Sequence, residues 1–205
     1  MRATVSVVPT PYWNHNTHYH PLALRHVRPG TRALDVGSGE GLLTRRAVAA
    51  GASEATGLDT DPAETARAAQ AARDDDRLRY VTGDVLTAPL DEHAYDLVTC
   101  VATLHHLDLD EGLRRLRALT APGGHVVVVG LARAGSPADL ALSLAGVPAA
   151  AVARRRRGEW EHGSPIAEPR TTYAAVRDGA RRHLPGARWR RHLYWRYSIT
   201  WQAPS

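Results

Sequence analysis

The residues whose types and spacing hold the most chemistry run from Leu34 to Gly41: Leu-Asp-Val-Gly-Ser-Gly-Glu-Gly. Glycines at 37, 39 and 41 remove side chains where a backbone must turn sharply and lie against a ligand. A dinucleotide-binding turn uses Gly-x-Gly-x-x-Gly, its third glycine making room beside a pyrophosphate. Here the third glycine comes one residue early, and Asp35 precedes the loop. A carboxylate there repels a pyrophosphate and suits a ligand bearing an ammonium and a sulfonium. Gly57-Leu58-Asp59 supplies a second carboxylate 22 positions beyond Gly37, near the roughly 20 expected of an acid that takes both ribose hydroxyls. Val81-Thr82-Gly83-Asp84-Val85 supplies a third. Each Asp alone reads first as a turn or cap residue; it is the set that points to a ligand.

Two further groups of residues could act on a substrate. His105 and His106 follow an apolar run and are the candidate general bases, with packing as the alternative role. The leader, residues 1–20, is dense in rings: Tyr12, Trp13, His15, His18, Tyr19 and His20. Tyr and His combine a flat apolar body with a polar tip, so this segment is expected to fold over the ligand as a lid or to pack on the sheet edge. Tyr12, His15, Tyr19 and His106 are the substrate-contact candidates there, joined by Trp160 and Tyr173 from residues 133–175. The leader histidines follow no zinc spacing and lack a thiolate partner, so no metal is expected. Cys100 sits in an apolar run and reads as an inert core residue.

The surrounding pattern alternates strands and helices. Strands are expected at Arg32–Val36, Ala55–Leu58, Arg79–Val81, Tyr95–Val101 and His125–Val129. Helices are expected over Pro21–Val27, Leu42–Ala50, Pro62–Arg73 and Asp110–Leu119, with Ala121-Pro122-Gly123-Gly124 as a break after the last. This spacing implies parallel βαβ units with right-handed crossovers and a sheet covered on both faces. Residues 133–175 read as a helical insertion that contributes to the substrate pocket, with Arg154–Arg157 as a solvated face or an anion site. A helix at Thr172–Leu184 then leads to two closing strands, Ala187–His192 and Tyr194–Trp201. In the second, Trp195, Tyr197, Ile199 and Trp201 share a face. In such a sheet the ligand lies beyond the carboxyl ends of the strands, where Gly37, Asp59, Asp84 and residues 101–106 converge.

Composition narrows the function classes. The 205 residues fit a single domain, residues 1–205, and 43% hydrophobic content supports a real core. A lone cysteine rules out an internal disulfide framework, which is consistent with a reducing cytoplasm. No apolar run is long enough for a membrane span, and the first residues do not form a secretory signal. The net charge of +5 raises nucleic acid as a partner, but all 26 cations are arginine and lysine is absent, which reads first as a codon bias. A small-molecule partner is expected instead, and oligomeric state is not legible.

Taken together, Leu34–Gly41, Leu58-Asp59, Gly83-Asp84-Val85, Tyr95-Asp96-Leu97-Val98, Leu104-His105-His106-Leu107 and Pro122-Gly123-Gly124 make the chain resemble a class I S-adenosylmethionine-dependent methyltransferase. The likeness is to the small-molecule type, similar to the ubiquinone/menaquinone C-methyltransferases. It covers residues 30–130 closely and the end of the chain more loosely. The resemblance implies an α/β, Rossmann-like doubly wound sheet of seven strands, order 3-2-1-4-5-7-6, with strand 7 antiparallel. It implies S-adenosyl-L-methionine as cofactor. Gly37, Ser38 and Gly39 would lie against its methionine part, with Asp35 at its amine and Asp59 and Thr60 at its ribose. Asp84 and Val85 would meet its adenine, and Val101 and Ala102 would pass near its sulfonium. Two alternatives stay open: an RNA-modifying methyltransferase, and a methyltransferase-like protein that binds the cofactor without turnover. Against the first, the Asn/Asp-Pro-Pro-Tyr/Phe element used on exocyclic base amines is absent after the fourth strand.

Overall fold

The computed structural model describes residues 13–73, 75–157 and 168–205. Tyr12 and Trp160, two of the substrate candidates, lie outside the described residues. In chain order the elements are α1 (His20–Leu24), β1 (Arg32–Val36), α2 (Leu42–Ala49), β2 (Glu54–Asp59), α3 (Pro62–Ala72), β3 (Leu78–Thr82), β4 (Tyr95–Val101), α4 (Leu109–Leu119), β5 (Thr120–Leu131), α5 (Pro137–Arg157), α6 (Tyr173–His183), β6 (Arg188–Arg191) and β7 (Arg196–Gln202). Among the described residues the strands form one seven-stranded sheet in the order β3-β2-β1-β4-β5-β7-β6. β1 to β5 pair in parallel, and β7 runs antiparallel to both β5 and β6.

Period-two alternation divides the core. Leu34, Val36, Val98, Val126 and Val128 face α4 and α6, where Leu113, Leu116 and Leu119 are fully buried at the helical spacing read from sequence. Ala33, Leu97 and Val127 face α1 and α2. Asp35 falls on this second face, an acid placed among alanines. The two faces hold the sheet as a covered plane, so only its ends stay open for a ligand.

Two expectations change. The Pro122-Gly123-Gly124 break lies inside β5, whose pairing with β4 shifts register between Tyr95 and Leu97. A side chain on Gly124 would meet Ala121 O at 2.9 Å and Asp96 O at 3.0 Å, so only glycine passes this irregularity. Trp195 does not share a strand face with Tyr197, Ile199 and Trp201; it precedes β7 in a left-handed conformation (φ 56°). Within residues 133–175, α5 covers Pro137–Arg157, and its N-terminus is tied by Ser136 and Asp139: Asp139 N donates to Ser136 Oγ (3.1 Å), and Ser136 Oγ donates to Asp139 Oδ2 (2.9 Å).

The end of the leader is built into the fold. Asn14 Oδ1 accepts from Asn16 N and Thr17 N, each at 2.8 Å, closing a tight turn ahead of α1. His20 at the start of α1 is buried against α2, where Arg46 Nη1 donates to its Nδ1 at 3.0 Å. Burial and the neighbouring guanidinium push the imidazole down to about 3. A histidine so depressed keeps its full contribution above its unfolded value of 6.5 and loses stability as pH falls from there towards 3. From pH 8 to pH 5 that loss is about 2 kcal/mol for this one group. His20→Gln keeps an acceptor for Arg46 without the titration. Urea unfolding at the two pH values is expected to show a pH effect about 2 kcal/mol smaller in the variant; parallel curves would reject the assignment.

Candidate functional site

The glycine loop leaves β1 with three left-handed residues, Gly37 (φ 71°), Gly39 (φ 52°) and Gly41 (φ 75°), the last capping α2. Gly37 N and Ser38 N both donate to Leu58 O at the end of β2, at 2.7 and 3.0 Å. The two strands thus fix where the loop starts. Asp59, next along β2, accepts from Gly39 N through Oδ2 at 2.8 Å and from Asp61 N through Oδ1 at 3.0 Å. Asp61 then caps α3 by accepting from Ala63 N. The sequence reading of Asp59 as a ligand residue is therefore joined by a structural role: it holds the tip of the loop.

Asp35 sits under the loop, 5% exposed. Thr99 Oγ1 donates to its Oδ1 at 2.7 Å and Thr44 Oγ1 to its Oδ2 at 3.1 Å. Its register partner on β4 is Thr99, so strand pairing brings the hydroxyl to the acid. Burial pushes the carboxyl up to about 6 despite these bonds, and the nearby Asp59 charge adds to the rise. Two acidic side chains thus stand near the carboxyl ends of β1 and β2, close enough to repel each other, with no cation among the described residues paired to either. Such a pair attracts a cationic ligand.

The loop leaves room for one. A side chain on Gly39 would meet nothing within 4 Å, so the backbone there borders open space. A side chain on Gly37 would overlap Thr103, its Cβ falling 1.9 Å from Thr103 Oγ1. Thr103, which follows β4, fills this gap and donates to Val101 O at 3.1 Å. Between them Ala102 is left-handed (φ 55°) with its N–H on Val129 O at 2.7 Å, which turns the chain across the sheet end. Tyr80 on β3 packs against Gly41 and Gly57, its hydroxyl donating to Gly41 O. Neither Thr103 nor Tyr80 stands out in the sequence; the signal for Tyr80 is its cross-strand position opposite Gly57.

Ser38 lies in the same loop. Its Oγ is buried with no partner and turned under the loop towards Gly57, so its backbone rather than its hydroxyl borders the open side. Thr60 follows Asp59 on the exposed side. Asp84 Oδ1 accepts from Leu86 N at 2.9 Å and closes the turn after β3, while Val85 is buried beneath it. Both lie at the carboxyl end of the sheet with Asp59, as the sequence placed them.

His105 and His106 form a 3-10 turn after Ala102-Thr103, their ring centroids 4.1 Å apart. Burial, His106 and Arg196 push His105 down to about 4, and its Nδ1 is buried without a partner. The ring is therefore neutral through the physiological range, able to accept a proton but only as a weak base. The other substrate candidates meet on the β6–β7 side. His15 stacks on Tyr194 with centroids 5.1 Å apart. Tyr19 Oη donates to Leu193 O at 2.8 Å and Tyr173 Oη to Trp195 O at 3.1 Å. Both hydroxyls are committed to the β6–β7 turn and brace it. Burial raises both phenols, Tyr19 to about 12. Among the described residues no group of three or more His, Cys, Asp or Glu could hold a metal ion. Among them, too, no helix is long and apolar enough to cross a membrane.

Several known proteins with this arrangement are methyltransferases. A family model described as a methyltransferase domain matches residues 34–128. The chain is 38% identical over 195 residues to an uncharacterized methyltransferase of Mycobacterium tuberculosis, covering 94% of this chain and 98% of that protein. It is 37% identical over 117 residues to the ubiquinone biosynthesis O-methyltransferase of Vibrio cholerae, covering 52% of this chain and 47% of that one. Among solved structures, an S-adenosylmethionine-dependent methyltransferase from Mesorhizobium loti matches with a TM-score of 0.60 at 19% identity, over 89% of this chain and 96% of that one.

Proposed function

The chain belongs to the class I S-adenosylmethionine-dependent methyltransferases, and on that footing we propose that it transfers the methyl group to a small-molecule acceptor held between the Ala102–His106 turn, the leader and the β6–β7 turn. The observation that carries the cofactor half is the Asp59 carboxylate, which holds Gly39 N–H while standing at the end of β2. When bound, S-adenosylmethionine supplies an electrophilic methyl already activated by its sulfonium. The protein has then to bind, align and keep water out, and needs a base only where the acceptor must lose a proton.

The described residues divide that work. Gly37 and Gly39 offer backbone to the methionine part, and Asp35 and Asp59 supply the negative field for its charges. Each Asp59 oxygen has a second lone pair free of the loop bonds, which suits a ribose diol. Val101 and Ala102 cross the sheet end close to Gly37, where Thr103 touches the loop. His105, neutral and orphaned at Nδ1, would serve the acceptor as a hydrogen-bonding or weakly basic group.

Asp59→Ala tests the cofactor half. Calorimetric titration with S-adenosylmethionine is expected to show at least tenfold weaker binding in a chain that still folds, its unfolding midpoint lowered by the loss of the Gly39 and Asp61 bonds. Asp59→Asn, which keeps an oxygen for Gly39 N–H, should fall between wild type and Ala. Unchanged affinity in Asp59→Ala would overturn the ribose assignment. A methyl-release assay on a metabolite panel then tests turnover.

A further inference from the structure

The acidic cofactor half has a basic counterpart across the same sheet end. Arg196 opens β7 opposite Leu131, two residues beyond the Val101–Val129 pairing that leads into Ala102. It is 8% exposed, and all its partners are neutral: Asn16 Oδ1 accepts from Nε (2.9 Å) and Nη2 (2.7 Å), and Tyr194 O accepts from Nη1 (3.0 Å). Arg191, closing β6, lies over the Tyr173 ring at 3.7 Å. Its Nη1 donates to His192 O (2.8 Å) and Arg196 O (2.9 Å) and its Nη2 to Ser143 Oγ on α5 (3.3 Å), while its Nε is buried with no acceptor. Among the described residues no carboxylate lies within ion-pair distance of either guanidinium. The acid that faces Arg191 is Asp139 at the start of α5, whose Oδ2 is already taken by Gly135 N and Ser136 Oγ.

Two sequestered guanidiniums without a counter-anion are an unstable arrangement unless something else supplies the charge. Burial and mutual repulsion show in Arg196, which is pushed down to about 10. Around the pair stand Tyr19, Tyr173, His192 and, within electrostatic reach of Arg196, His105. The turn between the two arginines is held at a cost as well: Tyr194 (φ 58°) and Trp195 (φ 56°) are consecutive left-handed residues, where hairpins normally place Asn-Gly. Rings from the leader, Trp13 and His15, pack on Tyr194 and keep it there.

We propose that the acceptor is a small-molecule oxyanion whose carboxylate or phosphate is received by the Arg191–Arg196 pair. The inference rests on the methyl-transfer reading above and names its substrate class: a cation bound on the Asp35/Asp59 side and an anion on the arginine side. A planar guanidinium matches the geometry of either oxyanion, and the buried Arg191 Nε–H is a donor left without an acceptor.

The test uses the full chain, with the melting temperature read in the presence and absence of saturating S-adenosylhomocysteine. Malonate or inorganic phosphate at 20 mM is compared with chloride at equal ionic strength, for wild type, Arg191→Gln, Arg191→Lys and Arg196→Gln. The expected result is at least 3 °C more protection by an oxyanion than by chloride in wild type, lost in Arg191→Gln and partly kept in Arg191→Lys. Arg191 is half-buried, so its variants keep the question open to measurement even where Arg196→Gln folds poorly. Protection by malonate alone or phosphate alone tells which oxyanion the site takes. Equal protection by chloride, or oxyanion protection that survives in Arg191→Gln, would overturn the proposal. Calorimetry with S-adenosylhomocysteine on the same samples keeps the two readings apart. Wild type that binds it without an oxyanion effect rejects only the acceptor class, whereas wild type that fails to bind it rejects the cofactor half.

Discussion

Gly37→Ala is expected to weaken S-adenosylmethionine binding at least 100-fold and to cost the fold about 2–4 kcal/mol, the sum of a left-handed residue with a Cβ and an overpacked contact. The new Cβ would lie 1.9 Å from Thr103 Oγ1, 2.4 Å from its Cγ2 and 2.6 Å from its Cβ. A β-branched side chain has no rotamer that clears all three, so the backbone at the ends of β1 and β4 has to separate. Those two ends carry the cofactor loop and the turn to His105, and separating them spoils both halves of the site. Gly39→Ala is the contrast. Its φ of 52° carries a strain of about 1 kcal/mol, but a Cβ there meets no protein atom and points into the open side of the loop. That variant should fold nearly as well as wild type and still bind poorly. Thr103→Gly in the Gly37→Ala background should restore part of the lost stability, with a coupling of about 1–3 kcal/mol in a double-mutant cycle. Urea midpoints and cofactor calorimetry on the four proteins decide it. Binding within tenfold of wild type in Gly37→Ala would show that the loop is not the cofactor cradle.

The parts of this site that were legible in sequence are those fixed by local rules. Glycine spacing, an acid ahead of the loop and valine-rich runs each report a backbone or burial requirement at their own position, and the first five strands followed from them. The closing hairpin was legible too, because Tyr197, Ile199 and Trp201 repeat with period two. What escaped depends on which residues the sheet sets side by side. Thr103 matters because β4 ends beside Gly37, and Tyr80 because it lies across from Gly57. Arg191 and Arg196 looked like two more members of an arginine-rich composition until strand pairing placed them around one turn. The Tyr194-Trp195 turn gave no signal, since its positive φ angles are imposed by packing against the leader rather than by Asn or Gly. The tyrosines show the converse. Tyr19 and Tyr173 were read as substrate contacts, but their hydroxyls are spent on the carbonyls of that turn.

A site that separates charge in this way must hold like charges close together before any ligand arrives, and Asp35 shows the consequence for stability. Its carboxyl is raised from 3.8 to about 6 by burial, so the folded state binds its proton more tightly than the unfolded chain does. The ionised group therefore destabilises the fold above pH 6, by about 3 kcal/mol for a shift of that size, and the penalty fades as pH falls from 6 to 3.8. Asp35→Asn removes the charge and keeps an oxygen and an amide for the Thr99 and Thr44 hydroxyls, either of which can turn to accept. After allowance for weaker neutral hydrogen bonds, the variant without cofactor should be about 1–2 kcal/mol more stable than wild type at pH 8. That advantage should shrink at pH 5. The same change withdraws half of the negative field offered to the cofactor's cationic groups, and its affinity should fall about 100-fold, about 2.7 kcal/mol. Stability and binding thus move in opposite directions from one substitution, the signature of a group kept for its ligand rather than for the fold. Urea unfolding at pH 8 and pH 5 with cofactor calorimetry at pH 8 measures both. A variant less stable than wild type at pH 8, or one that binds normally, would place Asp35 among the structural residues of the loop and leave Asp59 as the charge that receives the cofactor.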